Sequence, residues 1–330
     1  MIMLHHTQSA PVHIIGHARS GTSILADVLR RYLHISFGTE SQFIVRFDKN
    51  LAQYGDLHDE GNIKRLIRDV AQERCFQRWH KFDAFVLDPT QLFRDLPERS
   101  YRGVLEAAFM QLARHSGMTR WGDKTPEYVY HLPVLYRLWP DAQYIHIVRD
   151  GRDVALSIFQ QEFGAKNVYK AASDWREQML LVRDFSQCMP PEQFLEIRYE
   201  DFLGSTGETF RKLADFLGVD INATGFEPLT AALQQEIKAD NFNKWRQGLT
   251  VPQQRLYEQI AGDVLSGYGY ETAHCEAQPM GVAQHWYWTL DDKFRHWIMP
   301  AYWRDNVYKA SLRLWSLLSQ CRRFVRVDAR

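Results

Sequence analysis

The chain has 330 residues, 45% of them hydrophobic, and its 40 Lys and Arg balance 40 Asp and Glu. That is enough apolar material for one large domain, or for a domain with an appendage. The even charge balance excludes a protein that holds nucleic acid or an anionic membrane through its global charge, so any anion site has to be local.

The segment before Val12 holds His5 and His6 and no apolar run, so neither a signal peptide nor an N-terminal membrane anchor is expected. No run anywhere reaches membrane-spanning length. The four cysteines, Cys75, Cys188, Cys275 and Cys321, form no C-x-x-C pair and read as free thiols in a reducing compartment, which places the protein in the cytoplasm.

In chain order, Val12-His13-Ile14-Ile15 reads as a short buried strand. A loop of small residues from Gly16 to Gly21 follows it, and Ile24, Leu25, Val28, Leu29, Tyr32 and Leu33 then recur at helical spacing. Strand, glycine loop and helix in this order form a βαβ opening whose backbone amides converge on an anion at the helix N-terminus. The G-x4-G spacing is that of a phosphate loop. Thr22-Ser23, however, stand where a nucleoside-triphosphate loop has Lys-Ser/Thr, and the loop's cation is Arg19. A phosphate pocket is expected, without the lysine of a magnesium-triphosphate site.

Residues 34–60 read as loop-like, with Gly38 and Glu40 early in the stretch, and residues 61–80 as one amphipathic helix. Ala84-Phe85-Val86-Leu87 reads as a short strand, Tyr101–His115 as a helix, Trp121–Pro126 as a polar loop with a single lysine, Lys124, and Tyr128–Trp139 as a helix. Tyr144–Val148 is the clearest strand. It runs into Arg149-Asp150-Gly151-Arg152-Asp153, with a helix from about Val154. A helix around Trp175 and Met179 leads to a strand at Phe194–Ile197, with Tyr199-Glu200-Asp201 at its end, and Glu208–Leu217 forms a helix closed by Gly218.

This alternation predicts an α/β fold with a mainly parallel central sheet in three α/β/α layers. His13 and His146, on apolar strands, read as core histidines with their hydrogen bonds satisfied. After residue 275 the composition shifts to tryptophan (Trp286, Trp288, Trp297, Trp303, Trp315), with an apolar stripe through Val307, Leu314, Leu318 and Val325. The expected division is a catalytic domain over 1–275 and a Trp-rich helical extension over 276–330. Packing on the core is the first expectation for the extension, ahead of homodimerisation and contact with a membrane surface or the acceptor.

In an open parallel sheet, ligands bind beyond the carboxyl ends of the strands. Two arginine-bearing turns at that edge, Arg19 and Arg149, fit two separate phosphates on one ligand, since the guanidinium fork matches phosphate oxygens. Ser157, one turn into the following helix, adds a hydroxyl to the anion held by Arg149. An ion pair of Arg149 with Asp150 or Asp153 competes with this reading and loses weight once the glycine loop is counted.

These residues resemble a family. Gly16–Leu25 resembles the 5′-phosphosulfate loop of sulfotransferases that use 3′-phosphoadenosine 5′-phosphosulfate (PAPS), and Ile147–Ser157 is similar to their 3′-phosphate motif, with Arg149 and Ser157 eight residues apart. Lys124-Thr125-Pro126, followed by Leu138-Trp139-Pro140-Asp141-Ala142, is similar to the tyrosylprotein and carbohydrate branches. The resemblance covers about residues 11–270, and the motifs in this order are more specific than any one of them. It implies the nucleotide-kinase-like P-loop fold of sulfotransferases. It also implies a 5′-phosphosulfate site at Arg19, Ser20, Gly21, Thr22 and Ser23, and a 3′-phosphate site at Arg149 and Ser157. Tyr199 would contact the nucleotide, and Asn241 and Lys244 would close over it. PAPS is then the co-substrate, the bisphosphate product (PAP) is released, and no metal is implied.

An acceptor alcohol is a poor nucleophile at neutral pH and benefits from a general base, while the leaving oxygen needs a cation. Gly38-Thr39-Glu40-Ser41 resembles the Gly-Glu-Glu-Thr of tyrosylprotein sulfotransferases, which implies Glu40 as base; His17 in the loop is its rival. The arginine that follows in that branch is Gln42 here, which argues against a tyrosyl-peptide acceptor. Lys124 and Arg19 are the expected catalytic cations. The acceptor class stays open among carbohydrate, glycolipid and small hydroxyl compound, with no nucleic-acid partner. Two other readings stand beside this one: a P-loop kinase or nucleotide hydrolase, and a non-catalytic nucleotide- or glycan-binding protein on the same fold.

Overall fold

The computed structural model describes residues 10–220, 241–273 and 280–299. Five short parallel strands, β1 (Val12–Ile15), β2 (Ile35–Phe37), β3 (Arg120–Lys124), β4 (Gln143–Val148) and β5 (Phe194–Arg198), form one sheet in the order β2-β3-β1-β4-β5. The helices are α1 (Thr22–Leu33), α2 (Ile44–Lys49), α3 (Glu60–Ala71), α4 (Arg74–Asp83), α5 (Pro89–Arg94), α6 (Tyr101–His115) and α7 (Leu132–Leu138), followed by α8 (Gly151–Phe159), α9 (Val168–Ser186), α10 (Tyr199–Gly204), α11 (Thr206–Leu217), α12 (Trp245–Gly248), α13 (Val251–Gly267) and α14 (Val282–Trp297). The chain forms two compact units, Met1–Asp150 with Glu177–Lys244, and Gly151–Arg176 with Trp245–Arg330. The expected boundary at residue 275, and the stripe from Val307 to Val325, lie outside the described residues. Among the described residues, no helix is long and apolar enough to cross a membrane.

In the first unit, strand pairing fixes which side chains share a face, because residues in register on parallel strands point the same way. Val12, Ile14, Ile145, Ile147 and Ile197 pack on one face with α1, α10 and α11. Ile15, Trp121 and Tyr144 pack on the other with α2, α3, α4, α6 and α7. These are the three α/β/α layers. Both faces are covered, which is why β1 and β4 read as continuous apolar runs rather than alternating ones. After β1 the chain leaves for α1 on one face, and after the neighbouring β3 for α7 on the other, so the carboxyl ends of these two strands flank a crevice.

At the opposite end of the sheet, Arg120 donates to the carbonyls of Ala10 (2.7 Å) and Leu217 (3.0 Å) and to Gln143 Oε1 (2.5 Å). Gln143 in turn donates to the carbonyls of Glu192 and Phe216. Carbonyls that short strands and helix ends leave unpaired are satisfied by these two buried side chains.

Several local expectations are corrected. The expected polar loop 121–126 is mostly strand β3. Gly122 is required there, because a Cβ would come within 2.4 Å of the Phe37 ring on β2. The loop-like stretch 34–60 contains β2 and α2, both shorter than the span over which periodicity is legible. The single helix expected over 61–80 is two, α3 and α4, broken at Gln72 and Glu73, the latter in extended conformation. Ala84–Leu87 alternates buried Phe85 and Leu87 with exposed Val86 like a strand, yet pairs with none. The helix expected over 128–139 opens as a 3-10 turn, Pro126–His131, before α7.

In the second unit, Arg152 is buried, donating to Glu258 Oε1 at 2.8 Å with its guanidinium 3.6 Å from the Trp245 ring centre. Asp153 accepts from the Trp245 amide at 2.8 Å. Gly151 is required where Trp175 and Tyr257 close in, since a Cβ would meet the Tyr257 hydroxyl at 2.1 Å.

His13 does lie in the core, stacked on Tyr144 and packed against Trp139 and Trp121, but neither ring nitrogen has a hydrogen-bond partner. Burial therefore pushes its pKa down to about 3. Between about pH 6.5 and 3 the unfolded chain binds this proton and the folded chain does not, so stability falls as pH falls through that window. Urea unfolding should show that His13→Leu removes a pH-dependent loss of about 2 kcal/mol between pH 7 and pH 5. An unchanged difference between pH 7 and pH 5 would place the slope elsewhere.

Candidate active site

Two clusters sit at the carboxyl edge of the sheet in the first unit. The first begins at the loop after β1. Gly16 (φ +151°) lies so close to β4 that a Cβ would meet the Ile147 carbonyl at 2.6 Å. Gly21 (φ +97°) lies against Tyr199, where a Cβ would be 2.5 Å from the ring. Only glycine meets both demands at each position. Arg19 also takes a positive φ of 73°, an uncommon conformation outside glycine. The loop closes with the Ser20 amide donating to the His17 carbonyl at 3.1 Å, and α1 starts with no side-chain cap and no acidic residue in its first turn. The Ser20 hydroxyl is fully buried and lacks a hydrogen-bond partner among the described residues. His17 is buried, with Nδ1 2.7 Å from the Ala18 carbonyl.

Arg149, just after β4, joins this loop to its neighbours. Its guanidinium donates to the Arg19 carbonyl at 3.1 Å and the Asn241 carbonyl at 2.9 Å, and lies 4.5 Å from the Tyr199 ring centre. Asn241 Nδ2 donates to the Tyr199 hydroxyl at 2.8 Å, and Lys244 Nζ donates to Asn241 Oδ1 at 2.8 Å. Next to Arg149, the Asp150 amide donates to Glu200 at 3.1 Å. Residues from four separate stretches of sequence thus converge. Ser157 belongs to the second unit, part-buried on α8.

The second cluster stands on β3, beside β1. Lys124 Nζ lies 2.7 Å from Glu40 Oε1, with the lysine side chain 10% and the glutamate 31% exposed. Gln42 Nε2 donates to the other carboxylate oxygen at 3.2 Å. The loop bearing Glu40 is held at both ends. Gly38 sits on the Trp79 indole, where a Cβ would be 2.5 Å away, and Trp79 Nε1 donates to the Thr39 carbonyl at 3.2 Å. On the far side of Glu40, the Ser41 amide donates to Thr125 Oγ1 at 3.0 Å, the Ser41 hydroxyl pairs with Tyr128 Oη at 2.8 Å, and the Ile44 amide donates to Tyr128 Oη at 3.1 Å. Asp123 is buried beneath them, and burial pushes its pKa up to about 6, against hydrogen bonds from Thr125 and Ser41 that pull it down. A cleft of about 260 Å³ opens on this cluster, lined by Ser23, Asp27 and Arg30 of α1, by Phe37, Gly38 and Thr39, and by Lys124.

The structure therefore brings together Arg19, Ser20, Gly21, Arg149, Tyr199, Asn241 and Lys244, and separately pairs Glu40 with Lys124. Sequence reasoning did not find Trp79, Ser41, Asp123 or Tyr128, which hold Glu40 and Lys124 in place. Ser41 and Asp123 had only adjacency to mark them, and Trp79 and Tyr128 had no mark at all.

The model of the sulfotransferase family matches residues 11–223, and the chain belongs to that family. It is 26% identical over 162 residues to omega-hydroxy-beta-dihydromenaquinone-9 sulfotransferase Stf3 of Mycobacterium bovis and of Mycobacterium tuberculosis, covering 45% of this chain and 40% of each relative. The match thus spans less than half the length of those relatives. Among solved structures, the sulfotransferase domain from the curacin biosynthetic pathway superposes with a TM-score of 0.51 at 18% identity, over 80% of this chain and 98% of that one, and so shares the fold.

The bracing of the Glu40 loop can be measured. Tyr128→Phe leaves the Ile44 amide and the Ser41 hydroxyl without their shared partner, and should cost about 1–3 kcal/mol in urea unfolding. Ser41→Ala combined with Tyr128→Phe should cost clearly less than the sum of the two single changes.

Proposed function

We propose that this protein transfers the sulfuryl group of PAPS to an acceptor hydroxyl, releasing PAP and a sulfate ester. The observation that carries this reading is the Glu40–Lys124 pair, 2.7 Å apart, with Lys124 on the strand beside the one that leads into a glycine loop whose cation is Arg19 and not a lysine. The loop fits a sulfated 5′-phosphate: it offers the buried Ser20 hydroxyl, the uncapped amides at the start of α1 and a Cβ-free surface at Gly21. Thr22 and Ser23 add hydroxyls at the same helix end. The Arg149 guanidinium, with Tyr199, Asn241 and Lys244 around it, supports the 3′-phosphate end. Ser157 is assigned to that phosphate on its motif spacing alone. Residues 1–275 are assigned to catalysis and 276–330 to an extension.

The donor supplies a sulfur that exchanges its bond to the 5′-phosphate oxygen for one to the acceptor oxygen. Glu40 takes the proton that the acceptor hydroxyl gives up; Lys124 and Gln42 orient its carboxylate for this. Lys124 and Arg19 supply positive charge where the departing phosphate oxygen becomes anionic, and the α1 amides add fixed dipoles. The acceptor reaches Glu40 through the cleft that Lys124 lines. The mycobacterial relatives are named for an omega-hydroxy substrate, which supports an alcohol as the acceptor here; a labelled-donor screen of hydroxyl compounds, read by mass spectrometry, tests which class.

Calorimetry should show 3′,5′-adenosine bisphosphate binding more tightly than 5′-AMP or ATP, with Arg149→Ala abolishing the preference. Equal affinities would end the donor assignment. Glu40→Gln should lower turnover by about 10²–10⁴-fold while leaving bisphosphate affinity intact. Unchanged turnover would remove Glu40 as the base, and lost affinity would make it a binding group instead.

A further inference from the structure

Helix α14, in the second unit, is attached by its polar side. The Lys166 amide donates to Asp292 Oδ1 at 2.6 Å. Asn167 Nδ2 donates to the Trp288 carbonyl at 2.8 Å and to Asp291 Oδ2 at 2.9 Å, and the Tyr169 hydroxyl lies 2.6 Å from His285 Nδ1. Asp291 also pairs with Arg295 one turn on, at 2.8 Å.

The opposite side of the helix is apolar and faces outward. Val282, Trp286, Leu290 and Phe294 succeed one another at four-residue intervals, and Tyr287 and Ile298 flank them, all 56–75% exposed. A surface helix ordinarily turns such a stripe inward, because burying it is the main gain from docking an amphipathic helix. Here the anchoring contacts use the polar side and leave the stripe out.

The chemistry of the stripe and of the chain beyond it identifies the occupant. Trp and Tyr rings, apolar with one polar edge, are favoured at the level of lipid headgroups. Exposed Lys293 lies beside the stripe. Residues 300–330, which begin three positions after the end of α14, hold seven Lys or Arg against two Asp, a net charge of +5 in a chain whose overall charge is zero. An apolar aromatic face followed in the sequence by a basic segment is the combination that holds a helix in the plane of an anionic bilayer.

We propose that the outward face of α14 seats on an anionic lipid bilayer, with Trp286, Leu290 and Phe294 at the headgroup–acyl boundary. This does not rest on the sulfuryl-transfer reading.

The test is co-sedimentation of the full chain with phosphatidylcholine vesicles, with and without about one-third phosphatidylglycerol. Partition onto the anionic vesicles should be at least about tenfold stronger and should weaken with salt. Trp286→Glu with Phe294→Glu should abolish it while the far-UV circular dichroism stays unchanged. Arg322→Gln, Arg323→Gln and Arg326→Gln together, which leave α14 intact, should reduce the anionic preference and flatten the salt dependence.

No partition, or equal partition onto both vesicles, overturns the proposal. So does a dimer in analytical ultracentrifugation that the α14 substitutions split without affecting vesicle binding, since the face would then belong to a second copy. Wild-type protein that gains partition only when residues 300–330 are proteolytically removed also overturns it, because that segment would then be what covers the stripe.

Discussion

The candidate site depends on one guanidinium. Arg149 is only 7% exposed, yet it reaches the backbone of the β1 loop and of residue 241 while stacking on Tyr199. A buried cation with carbonyls and an aromatic face as neighbours draws three elements together. Arg19 takes its strained backbone where its carbonyl accepts from Arg149, and Gly21 is pressed against the ring on which Arg149 stacks. The shape of the glycine loop is therefore set partly from outside it.

The two clusters are supported differently. The Arg149 cluster is built from backbone carbonyls, a stacked ring and the ends of strands already fixed by the sheet. The Glu40–Lys124 pair stands on a loop and a strand that the sheet alone does not align. That alignment comes from Trp79 on one side and from the Ser41–Thr125–Tyr128 hydroxyls on the other. Buried hydroxyls with defined partners specify one geometry, because any other leaves them unpaired. Asp123 beneath them retains one oxygen without a partner, a cost that burial of a carboxylate makes real.

Much of this was legible in the sequence where a single stretch contained its own cause. The β1 strand, glycine loop and α1 announce themselves within a few residues, and β4 with its turn does the same. Glu40 and Lys124 were nameable by resemblance to a family, though not as partners 2.7 Å apart. Strand β3 was not legible, since Gly122, Asp123 and Lys124 follow turn chemistry in isolation; what makes them a strand is Phe37 on one side and a buried polar network on the other. Tyr128 and Ser41 stand 87 positions apart, and no local pattern links them. In Arg149-Asp150-Gly151-Arg152-Asp153, the two arginines look equivalent on paper. Only packing separates Arg149 at the site from Arg152, which Trp245 and Glu258 enclose.

The short segment after β2 has a consequence for how this chain can change over evolutionary time. Phe37, Gly38 and Thr39 line the cleft, and Glu40 follows immediately on the same braced loop. A substitution that widens or narrows the cleft there shifts the carboxylate along with the wall. Under the function proposed above, new acceptors cannot be explored through this wall without disturbing proton removal. The α1 side of the cleft, at Asp27 and Arg30, stands on a different element from the carboxylate. Divergence in acceptor choice should accumulate there first, on a helix face whose other side is locked into the core.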